Sequence, residues 1–183
     1  YYGVSLGVSG ILQRGISHND DHLVNELGPN QTGVGEAWLS WHYDQFRITA
    51  GDQRINIPFI GDYDWRITPI LFRAIDASYG DSDNFLHATK ITRYKPWGDD
   101  QFLDTTAYTD IEQSTNGMWG VGGGRSIPFG DRKVNAQMWY ENYDDYTRIV
   151  YADSFLSWNE YATAPKIGLQ FIRGLSEGKA LAG

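Results

Sequence analysis

The chain has no cysteine, which excludes a disulfide framework and any thiolate metal site. It also lacks an excess of basic residues. Lys and Arg number 15 against 23 Asp and Glu, a formal net charge of −8, so the clustered cations that neutralise nucleic-acid phosphates are missing. No apolar run approaches the roughly 20 residues that a spanning helix needs. That does not exclude a membrane, because barrel strands cross with about 9–11 alternating residues. His18, His22, His42 and His87 are scattered, with no HExxH spacing, so a zinc centre is not expected. No GxSxG elbow frames a nucleophile. The GVGGGR run at 120–125 has no following Lys-Ser/Thr, as a phosphate loop would. No catalytic residue, metal or cofactor is expected. No signal-peptide pattern precedes Tyr1, which falls inside an apparent strand, so the expectation is a processed or incompletely represented protein.

What is present is glycine, at 21 residues, and aromatic side chains, at 15%. Both suit a β protein with tight turns and aromatic girdles. The stretch from Gly35 to Pro69, GEAWLSWHYDQFRITAGDQRINIPFIGDYDWRITP, carries most information. Ala37, Leu39, Trp41 and Tyr43 fall on one face of a strand; Glu36, Trp38, Ser40 and His42 fall on the other. After Asp44-Gln45, Phe46, Ile48 and Ala50 alternate with Arg47, Thr49 and Gly51. A period of two means one apolar and one polar face. Glu36 and Arg47 read as mid-strand charges on the polar side, a pattern that suits a sheet between water and lipid.

The same alternation recurs. Tyr2, Val4, Leu6 and Val8 open the chain, and Val134, Ala136, Met138 and Tyr140 alternate with Asn135, Gln137, Trp139 and Glu141. Further strands are expected at about 71–79, 84–95, 117–127, 147–158 and 165–174, nine in all. Polar connections at 13–33, 55–70 and 96–116 alternate with tight turns at 44–45, 80–83 and 128–131. An up-and-down meander puts the long connections at one end and the short ones at the other, as in outer-membrane barrels. The short connection near 143–146 breaks the rule. Nine strands do not close a barrel of even strand number, and open edges do not sit in lipid. Closure therefore requires further strands beyond these residues, or a strand number other than nine.

The sequence resembles the OprD (Occ) family of Gram-negative outer-membrane porins. The resemblance runs through GEAWLSWHYDQFRITAGDQRINIPF, DWRITPILFRAIDASY, MWYENYDDYTRIVYADSFLSW and LQFIRGLSEGKALAG, in family order over most of the chain. It implies an all-β, antiparallel up-and-down transmembrane β-barrel of eighteen strands, of which this chain is roughly half, so 1–183 is part of one barrel domain. It implies a passive channel for small carboxylates, amino acids and, within the family, carbapenem-type antibiotics. The implied setting is the outer membrane, with lipid, lipopolysaccharide and small solutes as partners and a monomer or loose homotrimer as the assembly. Residues 55–70 fall where the family's third loop folds in to narrow the pore. The family also carries a ladder of basic side chains along one pore wall.

On that reading the pore-lining candidates are Arg47, Arg54, Arg66, Asp62, Asp64, Glu36 and Arg125. Arg47 would bind a passing carboxylate through charge-assisted hydrogen bonds; the plain alternative is a wall ion pair with Glu36. Arg54 and Arg66 flank the loop and read as constriction cations or, the favoured reading, as anchors to Asp52, Asp62 or Asp64. Asp62 and Asp64 would supply an opposing acidic surface, or be a solvated loop face. Both parities of 84–95 mix apolar and charged residues, so the facing of Lys90, Arg93 and Arg73 stays open; Arg125 is assigned to the pore by family position. Trp38 and Trp139 point inward, while Trp41, Tyr43, Tyr140, Trp158 and Tyr161 suit interfacial belts. Two rivals remain: a secreted all-β carbohydrate-active enzyme, which needs a carboxylate pair in one cleft, and a ligand-binding barrel, which needs apolar residues pointing inward.

Overall fold

The computed structural model describes residues 2–14, 31–63, 68–97, 99–104, 114–158 and 165–179. Nine antiparallel strands form one meander in strict sequence order. They are β1 (Tyr2–Gln13), β2 (Gln31–Tyr43), β3 (Phe46–Gln53), β4 (Leu71–Gly80), β5 (Asn84–Lys95), β6 (Met118–Phe129), β7 (Arg132–Tyr143), β8 (Thr147–Trp158) and β9 (Lys166–Ser176). The nine strands, their order and the odd short turn at 144–146 match the alternation of the sequence. The first hairpin is longer than expected. Gln13 pairs with Gln31 and Leu12 with Thr32, so strand pairing takes both ends of the segment read as a 13–33 loop.

Local chemistry places the turns. Asp44 takes a positive φ of 52° in the two-residue turn between β2 and β3, a conformation that Asp tolerates better than most residues. Gly51 has a φ of 126°, and a Cβ there would lie 2.3 Å from the Ala37 carbonyl oxygen, so only glycine fits. Across the β1–β2 ladder the register shifts between Val8 and Gly10, putting one extra residue into β2 beside Glu36.

The sheet has two distinct faces. On one, here called outer, Leu6, Val8, Leu39, Ile75, Leu86, Met138 and Leu169 are exposed. Along β7, Val134, Ala136, Met138 and Tyr140 lie outward between Arg132 and Asn142. About ten steps of 3.4 Å, tilted by about 40°, project to roughly 26 Å, close to the height of a barrel's lipid band. The turn end of this face is aromatic. Trp41 stacks on Tyr43 at 6.3 Å and meets Phe46 edge-on at 5.8 Å, while the Arg132 guanidinium lies over Trp158 at 5.3 Å.

On the inner face the segment after β3 lies across the sheet. Ile55, Ile57, Ile60 and Ile70 are buried with Phe72, Ala74, Ile91, Met118, Trp139, Tyr143 and Tyr151, so the main apolar core lies between this loop and the wall. The loop's tip is a tight reversal. The Ile57 N–H donates to the Ile60 carbonyl at 2.9 Å, the Ile60 N–H donates back at 3.1 Å, and Phe59 sits at a φ of 61°.

Inner-face glycines answer large aromatics on an adjacent strand. A Cβ on Gly7 would fall 2.3 Å from Trp38, one on Gly122 2.1 Å from Trp139, and one on Gly124 2.4 Å from Phe85. Each ring occupies the space that a Cβ would need. This close approach, rather than bending, accounts for these glycines.

Candidate functional site: the inner wall and its loop

Cross-strand register arranges the inner face in rows. One row runs Gly3, His42, Arg47, Ser78, His87, Gly122, Trp139, Tyr151 and Ile172. The next runs Ser5, Ser40, Thr49, Asp76, Thr89, Gly120, Glu141, Ile149 and Gly174. The rows are polar at β1–β4 and become more apolar where the loop covers β6–β8.

Arg47 is an inner-face residue, as the alternation requires. It is not mid-strand: it is the second residue of β3 and pairs with His42 beside the turn. A recess of ≈ 690 Å³ surrounds it, lined also by Ser5, Trp38, Ser40, His42 and Ser78. Glu36 lies on the Trp38 face by alternation from Ala37, about six residues and roughly 20 Å away along the strands. That distance rules out the Glu36–Arg47 pair, and Arg47 has no ion pair among the described residues.

Arg125 is a correction. It pairs with Asn84 and Ala136, and it alternates with Gly122, Gly124 and Ser126, whose side faces the inner row. Its neighbours by parity are Val121, Ile127 and Met138, so it lies on the outer face. A position near the turn end lets a long guanidinium stem reach the interface, which is how an outward cation is tolerated. Lys90 is outward as well, its ammonium donating to the Asn116 carbonyl at 2.7 Å. Arg73 is outward at the loop end, where Nε donates to Asp52 at 2.8 Å and the guanidinium lies 4.6 Å above Phe102. Arg93 pairs with Asp104 at 2.5 Å.

Arg54 takes the anchoring role of its two readings. It pairs with Asp62 at 3.5 Å, while the Asp62 N–H donates to Asn56 Oδ1 at 3.2 Å and the Asp62 carbonyl accepts from Ile70 N–H at 2.8 Å. Asp62 therefore ties the two ends of the loop together. Arg66 and Asp64 lie outside the described residues, as does Tyr161.

A larger polar system, which no sequence pattern marks, links β7, β8 and β9. Trp139 Nε1 donates to Gln137 Oε1 at 2.9 Å, Gln137 Nε2 donates to Asp153 Oδ2 at 2.9 Å, and the Tyr151 hydroxyl donates to the same oxygen. Gln170 Nε2 then donates to the Tyr151 oxygen at 3.1 Å. The chain of bonds spans three strands beneath Phe59, whose ring meets Tyr151 edge-on at 5.5 Å. To one side, His87 Nε2 is 2.7 Å from Asp76 Oδ1 and its ring is 5.4 Å from Trp139. Glu141 is fully buried. Gln137, Trp139 and Glu141 share one parity in the sequence, but nothing there marks which partners β8 and β9 bring.

Charge is unevenly placed on this wall. Among the described strands, acids sit along its body as Glu36, Asp76, Glu141 and Asp153. The inner-face Arg and Lys side chains are Arg47, Lys133 and Lys166, each the first or second residue of its strand at the turn end. The basic ladder implied by the resemblance is not found on these strands; a basic rim below an acidic wall is.

Solved structures with this architecture are outer-membrane proteins. OccAB2 of Acinetobacter baumannii superposes with a TM-score of 0.83 at 16% identity, over 100% of this chain and 49% of that one. A BenF-like porin from Pseudomonas fluorescens Pf-5 gives 0.83 at 15% identity, over 100% and 48%. OccK2 (OpdF) of Pseudomonas aeruginosa, solved in complex with glucuronate, gives 0.77 at 17% identity, over 100% and 46%. This is the OprD (Occ) porin fold. The chain spans about half the length of these porins. Its nine strands correspond to one half of an Occ barrel wall, and the described residues that follow β3, 54–63 and 68–70, pack on the inner side of that wall. No family model and no curated protein matches the sequence.

Proposed function

We propose that this chain forms about half the wall of an outer-membrane channel through which small water-soluble solutes diffuse passively. The observation that carries the reading is the division of one Occ-type sheet into an apolar outer face and a polar inner face with a loop laid over it. A soluble ligand-binding barrel has the opposite sense, with apolar side chains inward. An enzyme of the carbohydrate-cleaving kind needs two carboxylates facing one open cleft, whereas Asp153 is engaged by Gln137 and Tyr151 and Glu141 is buried. Passage then needs no chemical step. Selectivity comes from width, charge placement and weak binding at successive sites.

Small carboxylates are the solutes we favour. Arg47 faces the recess at the turn end with Ser40, Ser78 and His42 around it, and a guanidinium with adjacent hydroxyls suits a carboxylate with polar substituents. The glucuronate bound by the structurally similar OccK2 has that chemistry. The acids along the wall suit a positive group on the same solute, as in an amino acid. Residues 55–70 act as the constriction in this reading, with Arg54–Asp62 holding the loop's base. The setting is the Gram-negative outer membrane.

Two measurements test this. The protein should need detergent or lipid to stay in solution and should migrate differently on a gel before and after heating. In a planar bilayer the barrel carrying these strands should give discrete conductance steps, with small carboxylates competing for passage. Solubility without detergent sinks the reading.

A further inference from the structure

Glu141 stands out among the groups on the inner wall. Its side chain is fully buried. The Tyr143 hydroxyl donates to Oε2 at 2.6 Å, and Oε1 has no hydrogen-bond partner among the described residues. What covers it is the loop. The bare face of Gly120, opposite Glu141 in the ladder, is bordered by Glu141 Cγ at 3.4 Å, Ile57 Cδ1 at 3.6 Å and Met118 Cε at 3.6 Å. Ile57 belongs to the same apolar cluster as Trp139, Tyr143 and Tyr151.

The charged and titratable groups facing Glu141 can be read element by element among the described residues. From β6 come Met118, Gly120 and Gly122, none titratable. From β8 come Thr147, Ile149 and Tyr151, the last engaged with Asp153. On β7 the flanking inner residues are Trp139 and Tyr143. From the loop come Ile55, Ile57 and Ile60, with Arg54 and Asp62 paired to each other. No cation among them balances a carboxylate. A charge enclosed by apolar side chains, with one oxygen unsatisfied, is strongly penalised relative to water. A docked loop and an ionised Glu141 are therefore in conflict.

We propose that Glu141 is the catch of a proton-operated latch: the segment 55–60 lies down on β6–β8 while the Glu141 carboxyl is neutral, and lifts when it ionises. Lifting brings water to the carboxylate and removes Ile57 and Phe59 from the wall. Acid holds the loop down and base frees it. The latch rests on the channel reading only for its consequence, a wider pore at higher pH; the motion itself belongs to loop and wall.

The absence of cysteine makes the motion measurable. Ile57→Cys introduces a single thiol under the loop, and Ser82→Cys in the exposed turn before β5 gives a reference thiol. Both proteins, in lipid vesicles, are labelled with a membrane-impermeant maleimide between about pH 5 and about pH 8, and the ratio of rates removes the reagent's own pH dependence. Above the point where Glu141 begins to ionise, the ratio should rise by up to about tenfold per pH unit, since each unit multiplies the ionised, open population by that factor. In Glu141→Gln and Glu141→Met backgrounds the ratio should stay flat and low, the Met variant guarding against a Gln variant that fails to fold. A flat ratio with Glu141 present overturns the proposal, and so does an equal rise in either variant. Because labelling needs no current, a working latch in a protein that does not conduct would count against the channel reading alone.

Discussion

Arg47 and Arg125 show how much depends on one side chain's parity. Both are arginines in strands, yet Arg47 borders the inner recess and Arg125 shares the outer face with Val121 and Met138. A charge-assisted hydrogen bond is worth about 1.5–3 kcal/mol, so Arg47→Ala should weaken block of the open channel by a small carboxylate by roughly 10- to 100-fold. Arg125→Ala should leave that affinity unchanged. Equal effects in single-channel recordings would show that neither contact is specific. Two turn carboxylates, one at each end of the wall, are held in their charged form by a lysine. The Lys133 ammonium holds Asp83 below the ordinary carboxylate range, and Lys179 does the same to Asp145. A depressed carboxylate contributes stability above its unfolded-state value and loses it as pH falls through the folded one. Lys133→Met should therefore move the Asp83 titration upward, read by NMR of the side-chain carboxyl, with Asp145 unmoved. An Asp83 titration that stays depressed in the variant would remove Lys133 as the cause.

At the scale of strands and loops, glycine sets how closely neighbours approach. Trp139 occupies the space a Cβ on Gly122 would need, 2.1 Å from its ring. Gly122→Ala should cost about 1–3 kcal/mol by overpacking, seen as a lower urea midpoint for unfolding from lipid vesicles with an unchanged slope. An unchanged midpoint would mean that the ring moves aside freely. Alternation made the strands legible in the sequence, because a half-buried strand has to repeat every second residue. It failed where the repeat is broken or mixed. The extra residue near Glu36 and the register shift after Arg73 interrupt the period. In β5 as far as Ile91 and in β6 the parity holds, but glycines and outward cations leave no apolar contrast to read, so that family position alone put Arg125 in the pore. The loop's tether was legible as a candidate pairing of Arg54 with Asp62. Its seat on Trp139 and Tyr151 was not, since those contacts join residues far apart in the chain and follow from the sheet's curvature rather than from any local pattern.

At the scale of the whole molecule the parity of the strand count governs what the sheet can do. Strands alternate in direction, so β1 and β9, the first and last of nine, run the same way. Paired with each other, or with a copy inserted in the same orientation, they would meet in parallel. An antiparallel barrel built on this sheet requires an odd number of further strands between its edges, and nine of them give the eighteen implied by the family resemblance. Until those edges are paired, every second amide of β1 and β9 points away from the sheet, and unpaired backbone is not tolerated in the hydrocarbon. Hydrogen exchange of this 183-residue chain in detergent should report that directly. Amides of β4–β7, bonded on both sides and in part covered by the loop, should exchange slowest, while alternate amides along both edge strands exchange orders of magnitude faster. In a protein that pairs both edges the alternation should vanish and β1 and β9 should join the slow class. Uniform slow exchange across β1 and β9 in the chain alone would mean that its edges find antiparallel partners by association, and that the half wall closes by a route other than the one the strand directions favour.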